Sequence, residues 1–492
     1  MKRIFSNPIT ALISGLCLRL FFVLKFPANS GDTVLYEQMA TNWLKHHVYA
    51  MDVGGVVTPV DLRMPGYPAF LAVIYAITGR TGPDARHAAM FGQIVIDLLS
   101  CLVMARLAAI LATPAGDAKR NERVYIVALW LAALCPFTAN YTAVALTEVF
   151  AVFFTALTCL VLVKALRRVD DPKFLLVSSK VRPRRWLEWT ALSAGVCAGL
   201  GTLFRPETPL ILLAAFLGFG FLFVRRHEFK RWVWIGVVMG FGCFVVLIPW
   251  GVRNRLTLND TQFLAPKNSN LPGELVPYGF MAWEKTWLFR VRDCYLVPWK
   301  LNDESIDVET IPARAFDSPE EKQYVAAILE RYNEELTLTP EEDAAFGQLA
   351  RERTERHPLR TYVWLPAARA VTIWFTPRIE LVPVSGNVFP LGQTWEDDKI
   401  DQSVTVGFFL LNIFYVALAI WGAIRLWRAN PPARSAVVFF VLFILLRTAF
   451  LTTLETPEPR YVLVCFPALI ALGAQIFAAT KQRSAVAVPS AS

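Results

Sequence analysis

Two carboxylates and three guanidiniums in this sequence stand at the edges of apolar blocks. They are Asp32 in Ser30-Gly31-Asp32-Thr33, Glu148 in Thr147-Glu148-Val149-Phe150, Arg63 in Asp61-Leu62-Arg63-Met64-Pro65, Arg205 in Phe204-Arg205-Pro206-Glu207, and Arg460 in Pro459-Arg460-Tyr461. An ionisable group at such an edge is costly unless it faces a wet cavity or a partner, so each is a candidate for function. Carboxylates suit general-base work on a hydroxyl. Guanidinium forks suit phosphate, bidentately and without loss of charge at physiological pH. A site holding both can activate an acceptor hydroxyl while neutralising a phosphate leaving group. No glycine-rich nucleotide-binding loop occurs in the chain, so a phosphate donor would have to be membrane-borne.

Each residue also has a structural alternative. Asp32 fits a helix N-cap, because residues 32–47 read as a helix with Tyr36, Met39, Ala40 and Trp43 along one stripe. Arg63 fits an interfacial arginine ahead of the aromatic Tyr67. Glu148 would gain from the dipole of the helix it opens. Arg205 and Glu207 can pair with each other across Pro206, and Arg460 can snorkel beside Tyr461. The substrate-pocket expectation therefore covers Tyr36, Tyr67, Glu207 and Tyr461 around the five charged residues.

The elements that must position these groups follow from composition. Of 492 residues 55% are apolar and only 18% charged, against about 45–50% and 25% in soluble domains. The excess sits in blocks of membrane-spanning length, which excludes a disordered chain, a secreted disulfide scaffold and a cytosolic enzyme. Spans are expected at roughly 7–27, 87–112, 123–140, 148–166, 188–204, 207–224, 232–250, 404–426, 435–453 and 461–479. The stretches 66–79 and 361–376 are too short or too interrupted and read as re-entrant or interfacial. Seven of eight cysteines lie inside apolar blocks and Cys294 stands apart; there is no CxxC spacing and no disulfide framework. Arg19 and Lys25 interrupt the first block, so it reads as a retained span rather than a cleaved leader.

Charge placement sets the sides. Gap 164–185 holds eight Lys/Arg against two acids, gap 225–231 four against one, gap 425–434 three against none, and gap 116–123 three against two. All four are cytoplasmic by the Lys/Arg bias if 66–79 and 361–376 do not cross. That pattern, rather than nucleic acid, accounts for the net charge of +9. The expected fold is an all-α polytopic membrane protein of about ten helices with both termini inside. Residues 1–250 form an N-terminal membrane module carrying the outer loop 28–86, residues 251–403 an outer cap, residues 404–480 the last spans, and 481–492 a disordered tail. Within the cap, 301–343 carries thirteen acids and three bases, and 351–378 is Arg-rich. Segment 318–357 reads as amphipathic helices with a break at Pro340, forming a solvated cap.

The stretches SGDTVLYEQMATNWLKHHVYA (30–50), LRMPGYPAFLAVIYAITGR (62–80), ALTEVFAVFFTAL (145–157), LGTLFRPETPLILL (200–213) and EPRYVLVCFPALI (458–470) resemble the GT-C integral-membrane glycosyltransferases. The likeness is to the bacterial relatives of protein O-mannosyltransferases and of the lipid A aminoarabinose transferase. It covers under a quarter of the chain directly. The resemblance implies a GT-C-like bundle with re-entrant helices, in a bacterial cytoplasmic (inner) membrane, with its active site on the extracytoplasmic face. It implies inverting transfer from a polyprenyl-phosphate-linked sugar, such as an undecaprenyl phosphate sugar, to a lipid, glycan or protein acceptor. By the same resemblance Asp32 is the base, Glu148 a second acid, and Arg63 the contact to the lipid phosphate, with Arg205 and Arg460 binding substrate. Many relatives have Asp where Glu148 stands, and some have a second acid where Thr33 follows Asp32. A divalent cation is thus an open alternative, and no other cofactor is expected. Adjacent His46 and His47 point to different sides of a helix, which makes a poor metal pair.

Two rivals come from other mechanisms. A transporter would show inverted repeats and mid-membrane charge; only Asp97 and Arg106 lie mid-span, with Arg447 as a partner for either. An O-antigen-ligase-like enzyme would use a diphosphate-linked donor.

Overall fold

The first helix of the computed structural model begins where Asn7 accepts a hydrogen bond from the Ile9 amide and Pro8 takes the first helical position; α1 runs Pro8–Lys25. The structure describes residues 6–112, 118–170, 183–268, 271, 273–378, 380–384, 386, 388, 395 and 398–478. The tail expected at 481–492 lies outside the described residues.

The outer loop expected at 28–86 is ordered. It contains α2 (Gly31–His46), an antiparallel hairpin of β1 (Ala50–Val53) and β2 (Val56–Pro59), and the thirteen-residue α3 (Gly66–Thr78). Then follow α4 (Arg86–Ala112), α5 (Ala118–Ala133), α6 (Glu148–Asp170), α7 (Pro183–Thr202), α8 (Leu210–Phe223) and α9 (Phe229–Leu258). A short helical segment, 136–143, follows α5 at a bend of 51°. Pro136 and the break before it account for that bend.

All ten expected apolar blocks fall on helices. Among the described residues seven helices are long and apolar enough to cross a membrane, and eight if the bent pair counts as one span. The blocks at 188–204 and 207–224 do not reach that mark. α7 opens with Arg184, Arg185 and Glu188, and α8 is cut to fourteen residues because the chain turns through Pro206 and Pro209 before it. α7 nonetheless packs backbone-to-backbone on α9: a Cβ on Gly195 would sit 2.1 Å from the Met239 carbonyl oxygen. Small residues at a helix crossing permit that approach.

Region 251–403, expected as an outer cap, has its own core. Phe280 and Trp283 of α10 (Tyr278–Lys285) pack with Tyr332 of α11 (Pro319–Glu335), Phe346 of α12 (Pro340–Arg356) and Cys294. Pro340 is the expected break: it opens α12, capped by Thr339 and Glu342 in a reciprocal box. The acidic and Arg-rich stretches neutralise each other. Asp317 pairs with Arg353, Arg356 and Arg360 at 3.3, 3.2 and 2.6 Å, and Arg353 is fully buried. The chain returns through α13 (Leu365–Phe375), α14 (Lys399–Ala429), α15 (Arg434–Thr452), a 3-10 helix over Pro459–Cys465 and, continuing it, α16 (Phe466–Gly473).

The mid-span charges differ from the sequence expectation. The partner of Asp97 is Arg19, whose Nε donates to Asp97 Oδ2 at 2.6 Å, while Arg447 pairs with Glu207 at 2.9 Å. Arg19 sits three turns down α1, level with the middle of α4, so the pair closes between helices rather than along one.

Candidate active site

The loop that carries Asp32 is pinned to the loop that carries Glu148. The Ala28 amide donates to the Ala143 carbonyl at 2.8 Å, and Thr33 Oγ1 donates to the Ala145 carbonyl at 3.2 Å. Ser30 holds the N-cap position of α2, so Asp32 lies inside the first turn and its carboxylate is free for other work. The capping alternative for Asp32 is thereby replaced: Oδ1 accepts from Arg63 Nη2 at 2.6 Å, and Oδ2 faces Arg460 Nη2 at 3.5 Å.

Arg63 reaches this point from the segment that follows the hairpin. Its carbonyl accepts from Tyr49 Oη at 2.9 Å, and Arg253 of α9 donates to Tyr49 and Val60 carbonyls, clamping the hairpin. The Gly66 amide donates to the Leu203 carbonyl at 2.7 Å, fixing the Arg63 loop against the turn that presents Arg205.

The five charged residues converge in one alternating chain. Arg63 pairs with Asp32, Asp32 with Arg460, Arg460 with Glu148 at 3.7 Å, and Glu148 with Arg205. Arg205 faces Glu207 at 3.7 Å, and Glu207 meets Arg447. Arg460 also holds Glu458 at 2.5 Å, and Tyr461 Oη donates to Glu458 Oε1 at 2.5 Å. Both Arg205 and Arg460 lie over the Tyr461 ring, 4.9 and 5.3 Å from its centroid. Glu148 is 3% exposed, and its Oε2 has no hydrogen-bond partner among the described residues.

The charges set the protonation states. Burial would raise the Asp32 carboxyl, but the guanidiniums of Arg63 and Arg460 outweigh it and hold it below the usual carboxylate range. Burial likewise works against ionised Glu207, and Arg447 and Arg205 keep it low. Burial, with Asp32 nearby, pushes the Tyr36 phenol up to about 12, so it stays a neutral donor.

Two cavities meet at this chain. The smaller, about 220 Å³, is lined by Tyr36, Tyr461 and seven charged residues: Arg63, Arg205, Lys267 and Arg460 against Asp32, Glu148 and Glu207. The larger, about 540 Å³, has the opposite balance, with Asp32, Glu380 and Glu458 against Arg460, beside Tyr141, Tyr295 and Trp299. Asp32, Leu146 and Arg460 line both.

Of the nine residues singled out from sequence, eight line these walls. Tyr67 does not: it is fully buried, donates to Gln93 Oε1 at 2.7 Å, and packs edge-on against Tyr36 with centroids 5.1 Å apart. It supports the wall from behind. Lys267, Glu380, Glu458, Tyr295 and Trp299 were not anticipated. Glu458 lies two positions before Arg460, a spacing that signals it; the others come from region 251–403, where no motif marks them. The donor set does not fit a divalent cation: among the described residues no group of three or more His, Cys, Asp or Glu is placed to hold a metal ion, and Asp32 and Glu148 pair with guanidiniums. The arrangement fits an anion.

No family model and no curated protein sequence matches this chain. Solved structures do. The oligosaccharyltransferase AglB from Archaeoglobus fulgidus, in complex with an inhibitory peptide and a dolichol-phosphate, matches at TM-score 0.46 and 14% identity, over 95% of this chain and 50% of that one. ArnT from Cupriavidus metallidurans bound to undecaprenyl phosphate matches at TM-score 0.38 and 12% identity, over 95% of this chain and 77% of that one. The chain spans about half the length of the archaeal structures it matches.

Proposed function

We propose that this protein is a membrane glycosyltransferase. It moves a sugar from a polyprenyl-phosphate donor to an acceptor hydroxyl, with inversion, at the extracytoplasmic face of a bacterial cytoplasmic membrane. The observation that carries this reading is the shared wall: Asp32 and Arg460 separate a cation-rich cavity from one lined by acids and aromatic rings.

The donor phosphate sits in the smaller cavity on Arg63, Arg205 and Lys267, where charge-assisted bonds are strongest. The sugar and the acceptor occupy the larger cavity, where Tyr295 and Trp299 offer ring faces and edges. The acceptor oxygen attacks the anomeric carbon. The bond from that carbon to the phosphate oxygen breaks, Asp32 takes the hydroxyl proton, and polyprenyl phosphate departs with its charge held by the arginines. Donor binding also prepares the base. A phosphate competes for the guanidiniums of Arg63 and Arg460, and loosening them from Asp32 lets its basicity rise at the moment it is needed.

The test is consumption of a synthetic polyprenyl phosphate sugar by purified protein in detergent, run beside the diphosphate-linked form. Turnover of the monophosphate donor supports the proposal. Turnover of the diphosphate donor alone, or solute uptake into vesicles with neither donor consumed, rejects it.

A further inference from the structure

A second hollow of about 540 Å³ lies beyond the acid-rich cavity, and its wall is largely apolar: Phe289, Val291, Val371, Phe375 and Phe409 face it. Val291, Tyr295 and Glu380 line both hollows, whereas the cation-rich cavity shares none of its described lining residues with this one. The three therefore lie in series: cations, then acids and rings, then apolar wall. Arg290, Arg292, Arg378 and Glu380 also stand in this mostly apolar wall; the guanidinium of Arg378 is spent on Asn412 Oδ1 and the carbonyls of Pro459 and Ile373, and that of Arg290 lies 5.3 Å from the centroid of the Phe289 ring.

The hollow reaches the outside along α13. Val371 and Phe375 are 59% and 42% exposed, and the helix preceding them presents Tyr362 and Trp364 at 72% and 67%. Exposed aromatic residues in such a row suit a membrane interface. An apolar hollow entered from there is shaped for a hydrocarbon chain.

The donor tail is not the occupant, and this step rests on the proposed function. In a polyprenyl phosphate sugar the phosphate stands between tail and sugar. With phosphate among the cations and sugar among the acids, the tail must leave directly from the cation-rich cavity. It cannot run back through the sugar chamber to reach the apolar hollow. We infer that this hollow holds the hydrocarbon chain of a second lipid, the acceptor, whose hydroxylated head group enters the acid-rich cavity past Tyr295 and Glu380. The acceptor is on this reading a membrane lipid rather than a soluble glycan or peptide.

Two photoreactive probes test this on the full chain in nanodiscs: a lysophosphatidylglycerol with a diazirine on its acyl chain and a polyprenyl phosphate with a diazirine in its tail. Cross-links are mapped by mass spectrometry. The lysolipid should label the inner wall at Phe289, Val291 or Phe409, and Val371→Trp at the mouth should cut that labelling at least tenfold. The polyprenyl probe should label near Leu62 or Ala265, unchanged by Val371→Trp. Polyprenyl labelling of Phe289 or Phe409 overturns the inference, as does absence of lysolipid from that wall or indifference of its labelling to Val371→Trp. A polyprenyl probe that labels neither region overturns the donor reading instead, and the lysolipid pattern then decides the hollow by itself.

Discussion

Asp32 and Arg460 stand 428 positions apart and meet with Oδ2 and Nη2 at 3.5 Å, forming the partition between two cavities of opposite charge. One oxygen of the carboxylate is held by Arg63 and the other looks toward the longer, weaker contact with Arg460. An incoming anion therefore disturbs the weaker contact first, and that contact faces the chamber where an acceptor would stand.

Replacing Asp32 by Asn keeps the shape of this partition and removes its base. Loss of a positioned general base costs about 10²–10⁴-fold in turnover. Asp32→Asn should therefore bind the polyprenyl phosphate donor with near-normal affinity and turn over at least a hundredfold more slowly. Near-normal turnover in a donor-consumption assay would take Asp32 out of the base role.

Arg63→Ala should act on binding instead. A hydrogen bond to a charged group is worth about 1.5–3 kcal/mol, so donor affinity measured by titration calorimetry should fall about ten- to a hundredfold. Unchanged donor affinity would remove Arg63 from the phosphate site.

The pH dependence has a definite sign. The folded carboxyl of Asp32 lies below its ordinary value because Arg63 and Arg460 outweigh burial. A depressed carboxyl contributes stability that is fully present above the unfolded value of about 3.9 and is lost as pH falls through the folded one. Melting temperature should therefore be insensitive to this group from pH 7 down to about 5 and should fall below about 4. Asp32→Asn should blunt that acid limb. An acid limb near pH 6 that vanishes in Asp32→Asn would contradict the pairing.

Much of this site was legible in the sequence because one rule, cost of charge at a membrane boundary, singles out Asp32, Arg63, Glu148, Arg205 and Arg460 without any knowledge of contacts. The rule does not say which acid meets which base. Asp97 found Arg19 rather than Arg447 because helix packing brings α1 beside α4, and no spacing in the sequence encodes that neighbour. Tyr67 sits among the other signals in sequence yet points into the bundle, since α3 turns that face toward Gln93. Glu380 and Lys267 come from a region whose fold depends on its own core of Trp283, Trp287 and Phe346, and composition alone does not aim its loops.

Gly66 couples the Arg63 loop to the Arg205 turn through backbone alone. A Cβ there would lie 2.6 Å from the Leu203 carbonyl oxygen, the acceptor of the Gly66 amide. Backbone cannot yield as a flexible side chain can, so Gly66→Ala should push the Arg63 loop away from the Arg205 turn. Overpacking of this kind costs about 1–3 kcal/mol. The expected result is a lowered melting temperature together with weakened donor binding, though neither arginine is altered. A variant that melts lower yet binds donor normally would show the two arginines to be positioned independently.

The ion pair inside the bundle makes the last prediction. Arg19 and Asp97 are almost wholly buried, and Arg19 further donates to the carbonyls of Gly15 and Ala133, each at 2.8 Å. Removing one partner of a buried pair strands the other charge, at a cost of about 3–5 kcal/mol, whereas replacing both by apolar residues is often close to neutral. Asp97→Leu should thus destabilise strongly in a detergent-unfolding titration. Adding Arg19→Leu should restore most of the loss, short of full recovery, because two carbonyls lose their donor. A structural pair predicts this rescue and predicts that the double variant keeps donor turnover per folded molecule. If the double variant folds but turns over poorly, charge within the bundle serves the reaction as well as the fold.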